Sequence, residues 1–239
     1  MIKRWQDRSS LIYSEKTLEK LSSCRVAIFG VGGVGGHALE ALIRSGIGKI
    51  DIIDADVVDE TNLNRQLLAT RENIGRKKTE VARERVLCIN PEAEVVTHDL
   101  FYLPETKDRF DFSSYDYILD CIDTVSGKVS LIEEAKAAGV PIISAMGCGG
   151  KVDPSHLKIA DIEKTSVCHL AKVMRLELRK RGIKKVKVVY SDEPVIAKEV
   201  KEKAESGERT VRRIGSGPFV PCAAGLLMAS EVVKDLVSE

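Results

Sequence analysis

Arg25-Val26-Ala27-Ile28-Phe29-Gly30-Val31-Gly32-Gly33-Val34-Gly35 reads as a short apolar strand that runs into a glycine turn. A small-residue pattern from Gly36 to Ser45 predicts a helix, and a second apolar run, Ile50 to Ile53, stops at Asp54. Strand, glycine turn, helix, strand and acid, in that order, describe a nucleotide-binding β-α-β unit. Gly30 is expected to permit the tight turn, Gly32 to let backbone N–H groups approach phosphate, and Gly35 to let the helix pack closely on the strand. Asp54 follows about twenty residues later, where a carboxylate can accept hydrogen bonds from a ribose.

The stretch after Asp54 separates one nucleotide from another. It reads Asp54-Ala55-Asp56-Val57-Val58-Asp59-Glu60-Thr61-Asn62-Leu63-Asn64-Arg65-Gln66, and Lys77-Lys78 follow. The two phosphates of a dinucleotide are largely satisfied by the glycine turn and the helix N-terminus, so a nicotinamide site has little need of an added Arg and Lys. A triphosphate carries more charge. Fixed cations beside it suit adenylyl transfer, in which charge develops on the departing pyrophosphate. Helical spacing resumes over Arg76 to Ile89, which puts Lys78 in a first turn, where the helix dipole disfavours a cation and a bound polyphosphate would compensate. Lys77 points elsewhere, as a solvated lysine.

Further along, strands are expected at Glu94 to Thr97, Tyr117 to Asp120 and Val140 to Ala145. The second closes in Asp120-Cys121-Ile122-Asp123, at the carboxyl end of a strand, the rim where open α/β sheets bind ligands. Asp123 suits Mg²⁺, which usually takes one or two carboxylates plus substrate phosphates, and the same residue is placed to cap the helix from Thr124 to Gly139. Lys128, one turn in, reads as a phosphate contact or as a surface lysine. The glycines of Met146-Gly147-Cys148-Gly149-Gly150 mark a close backbone approach to an acyl partner, to a monovalent cation held by carbonyls, or to a tight chain crossing. Lys151 to Val152 and Leu157 to Ala160, around Asp153-Pro154, read as a β-hairpin.

The Gly30 to Gly35 turn, the Asp54 to Gln66 block, Lys78 and Asp120-Cys121-Ile122-Asp123 together resemble the adenylating superfamily of ubiquitin-activating-type enzymes, which includes sulfur-carrier adenylyltransferases. Within it the chain looks most like the tRNA threonylcarbamoyladenosine dehydratase (TcdA/CsdL) family. The resemblance implies that Asp54 holds the ATP ribose, Arg65 and Lys78 the phosphates, and Asp123 the magnesium ion. The nucleotide contacts it implies are Gly30, Gly32, Gly33, Gly35, Asp54, Asp56, Asn62, Arg65, Gln66, Lys78, Asp123 and Lys128, with Arg65, Lys78 and Arg8 in catalytic roles. Arg8 precedes the Ser14 to Leu21 helix near where relatives of this superfamily send an arginine into the partner subunit's site. Its surroundings, Arg4-Trp5-Gln6-Asp7-Arg8-Ser9, depart from that pattern, and a solvated arginine is the other reading. A homodimer, a tRNA substrate and, for some relatives, a cysteine desulfurase partner are implied in the same way.

Composition bounds these readings. The chain has 239 residues, 44% of them hydrophobic, enough to bury the core of one α/β domain: a Rossmann-like, mostly parallel sheet over about residues 20–150 and a C-terminal α+β part over about 151–239. A net charge of +1 gives no global attraction to nucleic acid. Charge is segregated, however. Lys164, Lys172, Arg175, Arg179, Lys180, Arg181, Lys184, Lys185 and Lys187 face the single acid Glu177, with Leu170, Val173, Met174 and Leu178 as the apolar face of a helix. Such an excess suits a polyanion better than a merely solvated face. Arg209, Arg212 and Arg213 add a second cluster, and Asp192 to Glu208 is expected to be a mobile polar segment. The tail motifs Lys164-Thr165, Val188-Val189-Tyr190-Ser191-x-Glu193, Gly215-Ser216 and Cys222-Ala223-Ala224-Gly225 carry the resemblance to the dehydratases.

The six cysteines form no Cys-x-x-Cys pair, so the zinc site of many sulfur-carrier adenylyltransferases is missing. Cys168 beside His169 reads as an activated thiolate or as a packing cysteine, and neighbours on a helix point apart. Cys222 reads as packing and His37 as a helix-surface residue. No apolar run approaches a membrane span, and the N-terminus has no signal core, so a cytoplasmic protein is expected. Three activities remain open: ATP-dependent cyclisation of threonylcarbamoyladenosine in tRNA, adenylation of a carrier protein ending in Gly-Gly, and a nicotinamide dehydrogenase or nucleotide sensor, which Arg65, Lys78 and Asp123 disfavour.

Overall fold

The computed structural model describes residues 3–204 and 207–238, with side chains described outside 201–209. Helix α1, Glu15–Ser23, opens on Ser14, whose side-chain oxygen accepts from the backbone of Thr17 at 3.1 Å, the expected N-cap. Strand β1, Arg25–Phe29, leads through the glycine turn into α2, Gly35–Ser45, and β2, Lys49–Ile53, completes the first unit. Then come α3, Lys78–Ile89, β3, Glu94–His98, β4, Tyr117–Asp120, α4, Val125–Ala137, and β5, Ile142–Ala145. The remainder supplies β6, Leu157–Asp161, α5, His169–Lys180, β7, Lys187–Ser191, the paired strands β8, Ala197–Ala204, and β9, Gly207–Ile214, and α6, Phe219–Ser238.

Seven strands form one sheet in the order β3-β2-β1-β4-β5-β7-β6, parallel except that the edge strand β6 runs against β7. The winding reverses between β1 and β4. In an open α/β sheet that reversal opens a crevice at the carboxyl ends of the strands. Both faces of the sheet are covered, so its central strands are apolar on both sides. Val26 and Ile28 of β1 pack into a core shared with α1, α2, α3 and α6, while Ala27 and Phe29 face a second core with α4, α5 and the aromatic group Tyr102, Phe110 and Phe112. The period of two along a five-residue strand thus divides one sequence between two cores.

Several expectations are corrected. Lys151 and Val152 form no hairpin with Leu157–Asp161, because β6 takes its antiparallel partner from β7. Within the polar segment Asp192 to Glu208 the described residues include β8, paired with β9. The register sets Glu199 opposite Arg212, an opposite-charge pair of the kind that supports an otherwise polar hairpin. The side chain of Arg209 lies outside the described residues. Asp123 does not cap α4; Thr124 holds that position. Lys77 is exposed, as expected of a solvated lysine, with its ammonium 2.7 Å from the likewise exposed Asp99.

Two carboxylates sit buried within the sheet, Asp120 of β4 and Asp51 of β2. Asp51 of β2 is 2% exposed and receives hydrogen bonds from Arg25 Nε (2.8 Å) and Tyr115 Oη (3.3 Å), with His98 Nε2 at 3.1 Å. Burial pushes its carboxyl up, but the hydrogen bonds from His98 and Arg25 outweigh burial and hold it below the usual range. A carboxyl held low in the folded state binds fewer protons than in the unfolded chain. Its stabilisation is therefore whole above the unfolded pKa of about 3.9 and is lost as pH falls through the lower folded value. Asp51→Asn is expected to lower stability at neutral pH and to flatten its decline below about pH 4, as read from urea midpoints across pH 2–7. An unchanged acid limb would exclude Asp51 as a contributor.

Candidate active site

The glycine turn is set by sterics. Gly30 takes φ +89°, a region that disfavours side chains, and a Cβ on Gly35 would lie 1.8 Å from the Gly30 carbonyl oxygen. Any larger residue at 35 would push α2 off β1. The turn therefore delivers the N-terminus of α2 to the crevice between β1 and β4, where a cavity of about 650 Å³ opens.

Its floor is made by residues from the strand ends. Asp54 follows β2, and both of its carboxylate oxygens are already oriented, accepting from Val31 N at 2.8 Å and Asp56 N at 2.9 Å. Asn62 is 9% exposed; its side-chain oxygen accepts from Asp59 N while Asp59 accepts from Thr61, so the block after Asp54 is locked by its own short polar side chains. Arg65 donates to the Thr61 carbonyl and to Asn64 Oδ1, both at 2.9 Å, and its stem lies against the glycine turn at Gly33. Gln66 approaches Gly32. Lys78, at the first position of α3, is only 4% exposed, and its ammonium lies 2.7 Å from Asp56. Asp123 lines the opposite wall, from the loop after β4.

The structure thus brings Gly30, Gly32, Gly33, Asp54, Asp56, Asn62, Arg65, Gln66, Lys78 and Asp123 around one cavity, with Gly35 beneath it. Two residues fall elsewhere. Arg8 is exposed, ahead of a short helical turn at Ser9–Leu11, and does not line the cavity. Lys128 is fully buried rather than at the surface, and it does not line the cavity. Its ammonium lies 3.0 Å from Asp120 Oδ1 and 3.3 Å from Ser144 Oγ, and both of those residues are also 0% exposed. Asp120 is accordingly an interior residue, and Asp123 alone of that pair of acids faces the cavity. For a magnesium ion, a lone carboxylate suffices where a triphosphate supplies further oxygens.

Sequence reasoning missed one wall, Leu100, Phe101 and Tyr102, which follows β3. The carboxyl end of the strand beside β2 is the signal that would have found it. Phe101 is half-exposed and presents an apolar surface suited to a base. Tyr102 is buried, and burial pushes its phenol up to about 12, so it remains neutral. The C-terminal part closes the rim. Ser216 and Pro221 line the cavity, and Asn64 Nδ2 donates to the Ser216 carbonyl at 2.8 Å. At Gly150, φ +68°, the backbone N–H donates to Gly215 and the carbonyl accepts from Ile196, so this glycine marks a crossing of three segments.

The cysteines at the site are not thiolates. Burial pushes Cys148 up to about 11 and Cys121 higher still. Cys168 is 4% exposed under Gly147 and does not line the cavity, whereas His169 is exposed. Cys222 lies against the Arg65 backbone and so packs α6 beneath the site. His37 is half-buried at the contact of α2 with Gly225 of α6, its ring nitrogen 2.9 Å from the Gly33 carbonyl oxygen.

A nucleotide crevice of this construction is found in more than one protein family. The ThiF family model matches residues 6–239. The chain belongs to the ThiF family. It is similar to the tRNA threonylcarbamoyladenosine dehydratase of Bacillus subtilis (strain 168), 43% identical over 239 residues that cover 97% of this chain and 94% of that protein. The Escherichia coli (strain K12) protein of the same name is 32% identical, over 98% of this chain and 95% of the other. A crystal structure of E. coli tRNA N6-threonylcarbamoyladenosine dehydratase, TcdA, in complex with ATP superposes with a TM-score of 0.87 at 32% identity, covering 100% of this chain and 97% of that one. This ThiF-family chain therefore shares its fold, including the C-terminal part, with that E. coli structure. Among the described residues no helix is long and apolar enough to cross a membrane.

Proposed function

We propose that this protein uses ATP to cyclise the threonylcarbamoyl group of threonylcarbamoyladenosine in tRNA. One observation carries the reading: a cavity that gathers an oriented ribose acceptor, Asp54, with the cations Arg65 and Lys78 and the carboxylate Asp123, in a chain matched end to end by dehydratases. A carboxylate is a poor electrophile because its leaving group would be oxide. The substrate carboxylate oxygen attacks the α-phosphate of ATP, and pyrophosphate leaves. The carbamoyl nitrogen of the same group then attacks the activated carbonyl, loses its proton and expels AMP, closing a five-membered ring with net loss of water from the nucleoside. Because nucleophile and electrophile share one molecule, this second step needs no nucleophile from the enzyme.

The residues of the chain supply placement and charge. Asp54 fixes the ribose. The Gly30 to Gly35 turn offers backbone N–H groups and the N-terminus of α2 to phosphate. Arg65 and Lys78 stabilise the charge that develops on pyrophosphate, and Lys78 exchanges its ion pair with Asp56 for the polyphosphate. Asp123, with phosphate oxygens, would hold Mg²⁺, which adds Lewis-acid neutralisation of phosphate charge when bound. Arg8 reaches phosphate only if supplied by a second protomer, so the same reading includes a homodimer.

The test is nucleoside mass spectrometry of tRNA bearing threonylcarbamoyladenosine after incubation with the protein and Mg-ATP, beside an ATP-free control. Loss of one water, dependent on ATP, is expected. An unchanged nucleoside from folded, ATP-binding protein would end the dehydratase reading and turn attention to pyrophosphate exchange with a carrier protein ending in Gly-Gly.

A further inference from the structure

The nine cations between Lys164 and Lys187 meet only Glu177 in sequence, but the fold returns further acids to them. Arg179 pairs with Glu163, Lys180 with Glu177, Arg181 with Glu133 and Glu177, and Lys187 with Glu231 and Asp235. Arg175 donates to the Thr165 carbonyl at 2.9 Å. Four remain, and three of these, Lys164, Lys184 and Lys185, line a single cavity of about 580 Å³ and form no ion pair with another described residue. Two carboxylates share the wall. Both are engaged: Asp161 Oδ1 accepts from Glu163 N at 2.9 Å, and Glu163 binds Arg179. Four cations against two acids leave the cavity positive.

The loop that carries these lysines is fixed. Gly182, φ +71°, ends α5, with its N–H donating to Arg179 and that of Ile183 to Leu178. Lys185 sits at φ +57°, a left-handed conformation that costs energy in a non-glycine residue, and its carbonyl accepts from Lys136 Nζ at 2.9 Å. Ile162 N–H donates to the Val186 carbonyl and ties the loop to its neighbour in the wall.

Asp161, the last residue of β6, pairs with Lys187, the first of β7, so this cavity lies at the amino ends of the parallel strands, opposite the nucleotide crevice. Five residues of strand and the strands between separate the two sites by on the order of 20 Å. ATP bound in the crevice cannot span that distance; a polynucleotide can. We infer that this cavity binds the phosphate backbone of the RNA whose nucleoside enters the crevice. The inference rests on the proposed function for the identity of the RNA.

The experiment compares the full chain with Lys164→Glu/Lys184→Glu/Lys185→Glu in two assays: tRNA binding without ATP across salt concentrations, and turnover with Mg-ATP. Reversal is expected to weaken tRNA binding at least tenfold and to make the plot of log affinity against log salt shallower by about 2, from roughly 0.7 per contact. The KM for ATP and the kcat at saturating tRNA should stay at parent values. The Lys→Gln triple variant, which adds no repulsion, should show the same change of slope and covers the case in which the charge reversal does not fold. Unchanged affinity and slope would overturn the inference. So would a parent whose melting temperature rises with millimolar inorganic phosphate, an effect the triple variant loses while its RNA binding is unaltered, because the cavity would then be a small-anion site. A parent that leaves the nucleoside unchanged, yet loses RNA affinity when these lysines are reversed, would retire the dehydratase reading and keep the cavity.

Discussion

Lys128→Met is expected to lower folding stability by about 3–5 kcal/mol, the usual cost of leaving a buried charge without its partner. For a chain of this length that is roughly 6–20 °C in melting temperature. Asp120 and Lys128 are both 0% exposed, and Ser144 donates to the other carboxylate oxygen of Asp120, so no water can replace the lost ammonium. The triad joins the end of β4, the first turn of α4 and β5, the elements that carry Asp123 and the Met146 to Gly150 segment to the cavity. Adding Asp120→Asn to Lys128→Met should recover much of the loss, because the charge is then removed along with its partner. Calorimetric melting of the two variants checks this. A single variant that melts with the parent would show the pair to be dispensable.

Arg65→Ala is expected to reduce kcat for ATP-dependent AMP formation by about 10²–10³, with a smaller change in the KM for ATP, because its charge matters most as pyrophosphate departs. Arg65 is half-buried, and its internal partners are a carbonyl and an amide oxygen on its own segment, so melting should be little altered. Arg65→Lys should recover only part of the rate, since an ammonium lacks the planar fork that grips phosphate. Pyrophosphate release under single-turnover conditions is the measurement. Parent rates from Arg65→Ala would remove the basis for assigning adenylation to this cavity.

Much of this was legible from short-range pattern. The first β-α-β unit follows from apolar runs of strand length, a glycine turn and an acid at the end of the second strand, and each of those signals spans only a few residues. Asp54, Arg65 and Lys78 could be placed together because a parallel sheet brings the carboxyl ends of β1 and β2 to one rim. The N-cap Ser14 and the first-turn position of Lys78 were equally local.

The misreadings share a cause. Lys128 looks like any lysine one turn into a helix, and only the pairing of β4 with β5 sets Ser144 beside Asp120 and encloses the ammonium. β8 and β9 carry charges in place of an apolar alternation, so their support comes from cross-strand pairs such as Glu199 with Arg212, whose register no single strand displays. The basic run Lys164 to Lys187 was visible as composition, but which cations are neutralised depends on Glu133, Glu163, Glu231 and Asp235, brought in from elsewhere in the chain. Periodicity, turns and caps are governed by neighbours in sequence, so the sequence alone determined the elements and the nucleotide rim. Charge pairing and burial depend on strand order, so only the tertiary structure decided which ionisable side chains face a ligand and which hold the interior together.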